Sequence, residues 1–400
     1  MRKSLLAVAV LGAFAGTAMA ADVTLYGVVD TGFMYSNVKK QGEKSTNTFE
    51  MKSGMSAGSR WGIKGTEDLG NGYKVGFVLE SGFDSDTGNL GFNGRVFGRQ
   101  ATLNVSGPFG EIHAGRMGAI GGGSGGPMSL WGLGSAFGTT WANNSVTATL
   151  QSNAARYDNS IGYISPKFAG LQVFAMYSMG GNSVATKNAK GEGTLSADAK
   201  ENAGRSNRYY GLGVKYANGP LTLFGVVDQQ NYDNRFNKPD NDDSLAATLG
   251  GSYDFGFMKL YAAGQYFDNL KVSQTISAPG LKVAKAPAEP NDSISIDGTK
   301  YANGGQQEGY ALSVSVNVPV AGGDFKAQLG YADAEDVNDS QFDGKRYVCG
   351  IGYAYPLSKR TMVYTGASYM YDKVNSIKEE AKVTTKNKTT QVFAGLKHTF

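Results

Sequence analysis

Apolar and polar residues alternate at every second position in segment after segment of this chain. In residues 307–318, Tyr310, Leu312, Val314, Val316 and Val318 fall on one face, with Ala311, Ser313, Ser315 and Asn317 on the other. In residues 244–254, Leu245, Ala247, Leu249 and Tyr253 oppose Ala246, Thr248, Ser252 and Asp254. In residues 324–331, Phe325, Ala327, Leu329 and Tyr331 are set against Lys326 and Gln328. A period of two belongs to extended strands with one apolar face, not to the 3.6-residue stripe of an amphipathic helix. Aromatic residues close the ends of these faces.

The connections between the alternating segments sort by length. Tight turns are readable at EDLGNG (67–72), SGPFG (106–110), SPKFAG (165–170), ANGP (217–220), DFGF (254–257), PVAGGD (319–324) and PLSK (356–359). Long polar stretches, centred near residues 45, 88, 135, 193, 237, 287, 340 and 380, alternate with them. Seven short and eight long connections join sixteen strands. An even number of strands with short turns at one end and long loops at the other is the rhythm of a bacterial outer-membrane barrel. The fold expected is therefore all-β: a transmembrane antiparallel β-barrel of sixteen strands with short periplasmic turns and long extracellular loops.

Composition agrees once the alternation is taken into account. The mean hydropathy of −0.29 would suit a water-soluble protein, yet lipid-facing and water-facing residues alternate in a barrel and their hydropathies average out. The chain holds 57 Gly, 22 Tyr and 20 Phe but only 10 Pro and one Cys, Cys349, which has no partner for an intramolecular disulfide. Arg2 and Lys3 precede the apolar run LLAVAVLGAF, which ends in TAMA before Ala21. That run is short of the roughly 20 residues of a spanning helix and reads as a secretory signal peptide, residues 1–20, with the barrel domain at 21–400. Its removal takes two basic residues, leaving 36 Lys+Arg against 34 Asp+Glu, a net +2 that argues against a nucleic-acid partner. The last ten residues, QVFAGLKHTF, carry Val392, Ala394, Leu396, His398 and Phe400 on one face, ending on an outward aromatic.

VTLYGVVDTGF (23–33), SRWGIKGTEDLGNGYKVGFVLESGF (59–83), GRQATLNVSGPFGEIHAGR (98–116), RYDNSIGYISPKFAGLQV (156–173) and GLKHTF (395–400) resemble the general Gram-negative porins, in that family's order along the chain. The resemblance implies passive diffusion of small hydrophilic solutes and ions, and a homotrimer in outer-membrane lipid and lipopolysaccharide. It also implies a third loop folded into the pore and a constriction with charged residues on opposing sides. The terminal Phe resembles the recognition signal of outer-membrane assembly.

A diffusion channel discriminates by width and by the field across its narrowest point. Residues 117–155, in the position of the family's third loop, contain no Asp, Glu, Lys or Arg, whereas family members often place acids there. Basic residues are placed by arithmetic. Arg60 lies seven residues before the turn at 67, Arg99 seven before that at 106, Arg116 six after Gly110 and Arg156 nine before that at 165. Those offsets are roughly 20–30 Å along the strands and roughly 15–23 Å in height, one band across the barrel. The resemblance supports Arg60 and Arg99 as constriction residues. With Trp61 and Ile63 outward, Arg60 and Lys64 point inward; with Ile161 and Tyr163 outward, so do Arg156 and Asp158; with Phe77 and Leu79 outward, so does Glu80. Arg99 shares parity with Ala101, Leu103 and Val105, which requires a bulge or a subunit contact. Arg116 shares parity with Ile112 and Ala114, which leaves a subunit contact open. A neutral loop facing a basic band predicts modest anion preference. Ser124, Ser129, Thr139, Thr140, Asn143 and Asn144 are expected to hydrate the opposing wall, and Trp131, Phe137 and Trp141 to wedge the loop against the interior.

Other chemistries find no support in the sequence. GGGSGG (121–126) lacks the Gly-Lys-Ser/Thr ending of a phosphate loop. Asp240, Asp242 and Asp243 lack the Gly and terminal Glu of an EF-hand. His113 and His398 belong to no catalytic or metal-ligating set, so neither an enzyme nor a cofactor or metal site is expected. A barrel acting mainly as an adhesin or surface receptor through long loops such as 268–306 is the alternative.

Overall fold

In the computed structural model the alternating segments form strands whose apolar faces are the exposed ones. It describes residues 22–180, 185–187, 193–195, 201, 207–232, 242–271, 294–296, 299–301, 306–337, 339–378 and 381–400. The expected signal peptide, Asp240 and the loop centres near 237, 287 and 380 lie outside these residues. Sixteen strands build the wall: β1 (Thr24–Lys40), β2 (Arg60–Gly70), β3 (Tyr73–Gly82), β4 (Gln100–Gly107), β5 (Gly110–Gly118), β6 (Arg156–Ile164), β7 (Leu171–Ser178) and β8 (Arg208–Asn218) form the first half. The second half is β9 (Leu221–Asn231), β10 (Ser244–Asp254), β11 (Lys259–Lys271), β12 (Gln306–Val320), β13 (Gly323–Asp336), β14 (Asp339–Pro356), β15 (Thr361–Lys378) and β16 (Ala381–Thr399). Each pairs antiparallel with its sequence neighbour, and β16 pairs back onto β1 from Val28↔Thr399 to Lys40↔Asn387. Closure gives each of the sixteen strands a neighbour on both sides, the condition for a sheet to sit in hydrocarbon.

The burial pattern is that of a globular protein turned inside out. Leu249 and Leu329 are 72% and 65% exposed, while Thr248, Ser313, Ser315 and Gln328 are 2% exposed or less. The polar faces read from residues 244–254, 307–318 and 324–331 thus line the interior, and the apolar faces meet lipid.

All seven tight turns fall where the sequence places them, between β2 and β3, β4 and β5, β6 and β7, β8 and β9, β10 and β11, β12 and β13, and β14 and β15. Two of the long connections are built differently from expectation. Near residues 340 and 380 the ladders run on to Asp336↔Asp339 and Lys378↔Ala381, so β14, β15 and β16 stand tall as hairpins rather than ending in open loops. The first connection also enters the wall. Thr46–Ser53 pairs with β1 from Thr31↔Ser53 to Val38↔Thr46, whereas β2 pairs with β1 only from Thr24↔Lys64 to Val28↔Arg60.

At the periplasmic end of the seam, the Phe400 backbone exchanges hydrogen bonds with Gly27, at 3.0 and 3.1 Å. The Phe400 ring lies across Gly27, where a Cβ would come within 2.3 Å of it. Glycine is required there by close approach, not by backbone conformation.

Candidate pore constriction

The connection between β5 and β6, residues 119–155, is held against the inner faces of the far wall. A short 3-10 turn, Trp131–Gly134, seats Trp131 in the cluster that contains Phe224, Ala246 and Ala263 of β9, β10 and β11. Ser135 Oγ donates to Gln328 Oε1 at 3.0 Å and the Ala136 N–H to Ser315 Oγ at 2.9 Å. Phe137 and Trp141 pack on Tyr364 and Phe393, with the Trp141–Tyr364 ring centroids 5.2 Å apart. Asn144 Nδ2 donates to the Ile351 and Ala367 carbonyls at 3.0 and 3.2 Å, and Gln151 and Gln265 bond reciprocally at 2.7 and 2.8 Å. The side-chain anchors on the wall, Gln328, Ser315 and Gln265, come from inward positions of alternating strands, so the pattern that makes the barrel also provides sites that hold the loop.

The three aromatic residues read as wedges are 1–5% exposed and fill that role. The loop's hydrophilic residues divide. Asn144 is fully buried as an anchor, and Ser129 Oγ is turned onto the Gly122 carbonyl at 2.6 Å. Thr140 is exposed, with Oγ1 donating to the Ser56 carbonyl at 2.5 Å, while Thr139 and Asn143 are half-buried.

The near wall carries the positive charge. Glu80 on β3 accepts from Arg99 Nε at 2.7 Å and from the Tyr26 hydroxyl at 3.0 Å, and stands 3.5 Å from Arg60 Nε. Arg156 Nε donates to the Arg99 carbonyl at 2.9 Å and Nη2 to the Ser124 carbonyl of the pore loop at 2.7 Å. Its guanidinium lies 4.8 Å from the centre of the Phe92 ring. Two arginines thus share one carboxylate, and the third is hydrogen-bonded beside them to backbone carbonyls alone. Arg99 reaches this group because β4 begins only at Gln100, so the alternation of Ala101, Leu103 and Val105 does not govern it. Lys64 lies beside the group, over the Tyr26 ring at 5.4 Å.

Arg116 and Asp158 do not join it. Arg116 pairs across the ladder with Ala101, which shares a face with exposed Leu103, so Arg116 stands on the outward side. Opposite it the β5–β6 ladder steps from Gly115↔Ser160 to Met117↔Tyr157, placing Asp158 and Asn159 against a single residue. Asn159 has φ +51° and Gly115 φ +126°. This bulge breaks the alternation that would have aimed Asp158 inward. Asp158 instead meets Arg116 Nη1 at 2.5 Å and Arg95 Nη1, from the connection between β3 and β4, at 2.8 Å.

Sequence reasoning missed three interior features. Lys326 Nζ donates to the Ala136 carbonyl at 2.8 Å and lies 5.1 Å from the Trp141 ring centre; only its polar-face parity was read. Lys397 shares the inward parity of Phe393 and pairs across the seam with Asp30. Arg346 and Asp372 form a buried two-pronged pair, both bonds 2.8 Å. Inward parity in QVFAGLKHTF, GKRYVCG and MYDKV was the available signal for Lys397 and for the pair. Asp30 is fully buried, accepting from the Ser56 and Ala57 N–H groups at 3.0 and 2.7 Å and from the Tyr364 hydroxyl. Among the described residues no group of three or more His, Cys, Asp or Glu side chains that could hold a metal occurs.

A family model described as Gram-negative porin matches residues 7–375. The chain belongs to the Gram-negative porin family. An outer membrane porin protein of Bordetella pertussis is 33% identical to this porin over 413 residues, covering all of both chains. Outer membrane porin protein 32 of Delftia acidovorans is 30% identical over 419 residues, again covering all of both. Among solved structures, an anion-selective porin from Comamonas acidovorans superposes with a TM-score of 0.61 at 24% identity, over 95% of this chain and 100% of that one. OmpT of Vibrio cholerae, in a trimer form, superposes at 0.55 with 15% identity over 95% and 100%. The porin is thus an outer-membrane protein whose sixteen-stranded barrel is of a kind that forms channels.

Proposed function

We propose that this porin is a general diffusion channel for small hydrophilic solutes and ions, with a modest preference for anions, working as a homotrimer. The observation that carries the selectivity is the charge balance across the loop. Arg60 and Arg99 pair with a single carboxylate, Glu80, and Arg156 is bonded to the Arg99 carbonyl beside them. The loop opposite, 119–155, contributes no charge. Asp30 adds little to this balance, because Lys397 stands directly opposite it across the seam. A surplus of two positive charges at about 7 Å in water-like surroundings favours an anion over a neutral solute by about 1 kcal/mol. Salt, with a Debye length of about 8 Å at physiological strength, reduces this to a preference rather than a filter. A reversal potential across a planar bilayer with a KCl gradient is expected to show anion preference; clear cation preference rejects the reading.

The outward face supports the assembly. Phe33 and Phe49 stack at 5.7 Å on β1 and Thr46–Ser53, both at least half exposed, and Trp61 meets Phe97 edge-on. The Arg95–Asp158–Arg116 cluster is closed within one subunit, its side chains 9–21% exposed and its charges paired, which leaves the aromatic surface as the part for a neighbouring subunit to cover. Chemical cross-linking of the detergent-purified protein is expected to stop at three subunits, and single channels to open in three equal steps.

A further inference from the structure

On the periplasmic side of the arginine group, one inward row runs Asn104↔His113↔Gly162↔Met176 across β4 to β7. Gly162 leaves the middle of this row without a side chain, and two thioethers fill the space. A Cβ on Gly162 would stand 3.0 Å from Met117 Sδ and 3.3 Å from Met128 Sδ. Met117 lies near the end of β5 and Met128 in the pore loop, so the two sulfurs reach one point from the wall and from the loop. His113 and Met176 flank that point on either side, at the spacing of about 5 Å that separates Cβ atoms of directly opposed residues. All four side chains belong to residues no more than 5% exposed.

Methionine commonly fills irregular core space, and three of them together call for no further reading by themselves. His113 separates this cluster from packing. Its Nε2 is buried and makes no hydrogen bond to any described residue, although Glu111 Oε1 stands 3.3 Å away. A buried ring nitrogen left in that state costs stability unless something meets it. The thioethers around it are poor hydrogen-bonding groups, but thioether sulfur and imidazole nitrogen are both ligands for soft transition-metal ions. With the proton on Nδ1, Nε2 offers its lone pair to such an ion. None of the four side chains is a carboxylate, the ligand that favours hard cations. The Glu111 side chain, 35% exposed at the periplasmic end of β5, gives a cation an approach that does not pass the arginines.

We infer that Met117 Sδ, Met128 Sδ, Met176 Sδ and His113 Nε2 bind a soft monovalent cation of the Cu(I) class, and that the bound ion clips the root of the pore loop to the wall. The site is independent of the anion preference proposed above, since it adds no protein charge to the constriction.

The test uses the full-length protein in detergent and nitrate salt, with Cys349→Ala throughout so that the exposed thiol does not compete. Ag(I) serves as a probe that undergoes no redox change. Uptake of one ion per chain is expected, with sulfur and nitrogen neighbours in its X-ray absorption spectrum. Oxygen neighbours alone, or no stoichiometric uptake, overturns the site without any further variant. Met117→Leu with Met128→Leu conserves core volume and is expected to weaken Ag(I) about a hundredfold, and His113→Gln about tenfold with loss of the nitrogen neighbour. Unchanged affinity in the double Leu variant overturns the proposal, and so does displacement of Ag(I) by equimolar Zn(II), which marks a site without preference for soft ions. Without metal, the double Leu variant is expected to keep the anion-to-cation permeability ratio of the Cys349→Ala protein, so a lost metal site is distinguished from a failed channel.

Discussion

Glu80 is the residue on which the field of the constriction turns, because among the described residues it is the carboxylate paired with Arg60 and Arg99. Glu80→Gln is expected to raise the anion-to-cation permeability ratio about sevenfold in dilute salt, since one charge at about 7 Å in water-like surroundings favours an anion by about 0.6 kcal/mol and disfavours a cation by the same amount. Arg99→Gln is expected to lower the ratio by a similar factor, and paired reversal potentials check both. Of this site, Arg60, Lys64 and Glu80 were legible from alternation, because β2 and β3 run without interruption through them. Arg99 was not, because the strand boundary falls one residue after it. Asp158 was misplaced for a related reason: the bulge at Gly115 and Asn159 changes the side of the sheet without leaving a mark in the hydropathy pattern.

The pore loop behaves as an element only because the wall holds it. Trp141 contacts Phe137, Tyr364 and Phe393 and is almost completely buried, so Trp141→Ala removes a packing centre of the kind that costs about 3–5 kcal/mol. The expected result is a barrel that still assembles but shows larger, noisier single-channel currents. Arg346→Ala leaves Asp372 buried without its partner, a loss of about 3–5 kcal/mol, whereas the double replacement Arg346→Met, Asp372→Leu is expected to cost less than either single change. Thermal unfolding in detergent followed by circular dichroism orders the three. The loop's neutrality and its aromatic wedges could be read from residues 117–155 alone. Its anchoring by Asn144, Ser135 and Gln151 could not, since their partners lie 114 to 223 positions away in the chain.

For the whole molecule, closure rests on the two ends of the domain meeting, and Gly27 is where they touch. Gly27→Val would place a branched side chain where the Phe400 ring lies, and is expected to lower the fraction of protein that migrates as folded barrel on unheated gels. The number of strands was legible because turns and loops alternate. The height of β14, β15 and β16 was not, because polar residues in a hairpin above the membrane have the composition of a loop. The partner exchange along β1 has a practical corollary for anyone placing reporters on this surface. An epitope inserted at Gly42 lengthens a turn, while the same peptide a few residues on, inside Thr46–Ser53, breaks the ladder that covers the upper edge of β1.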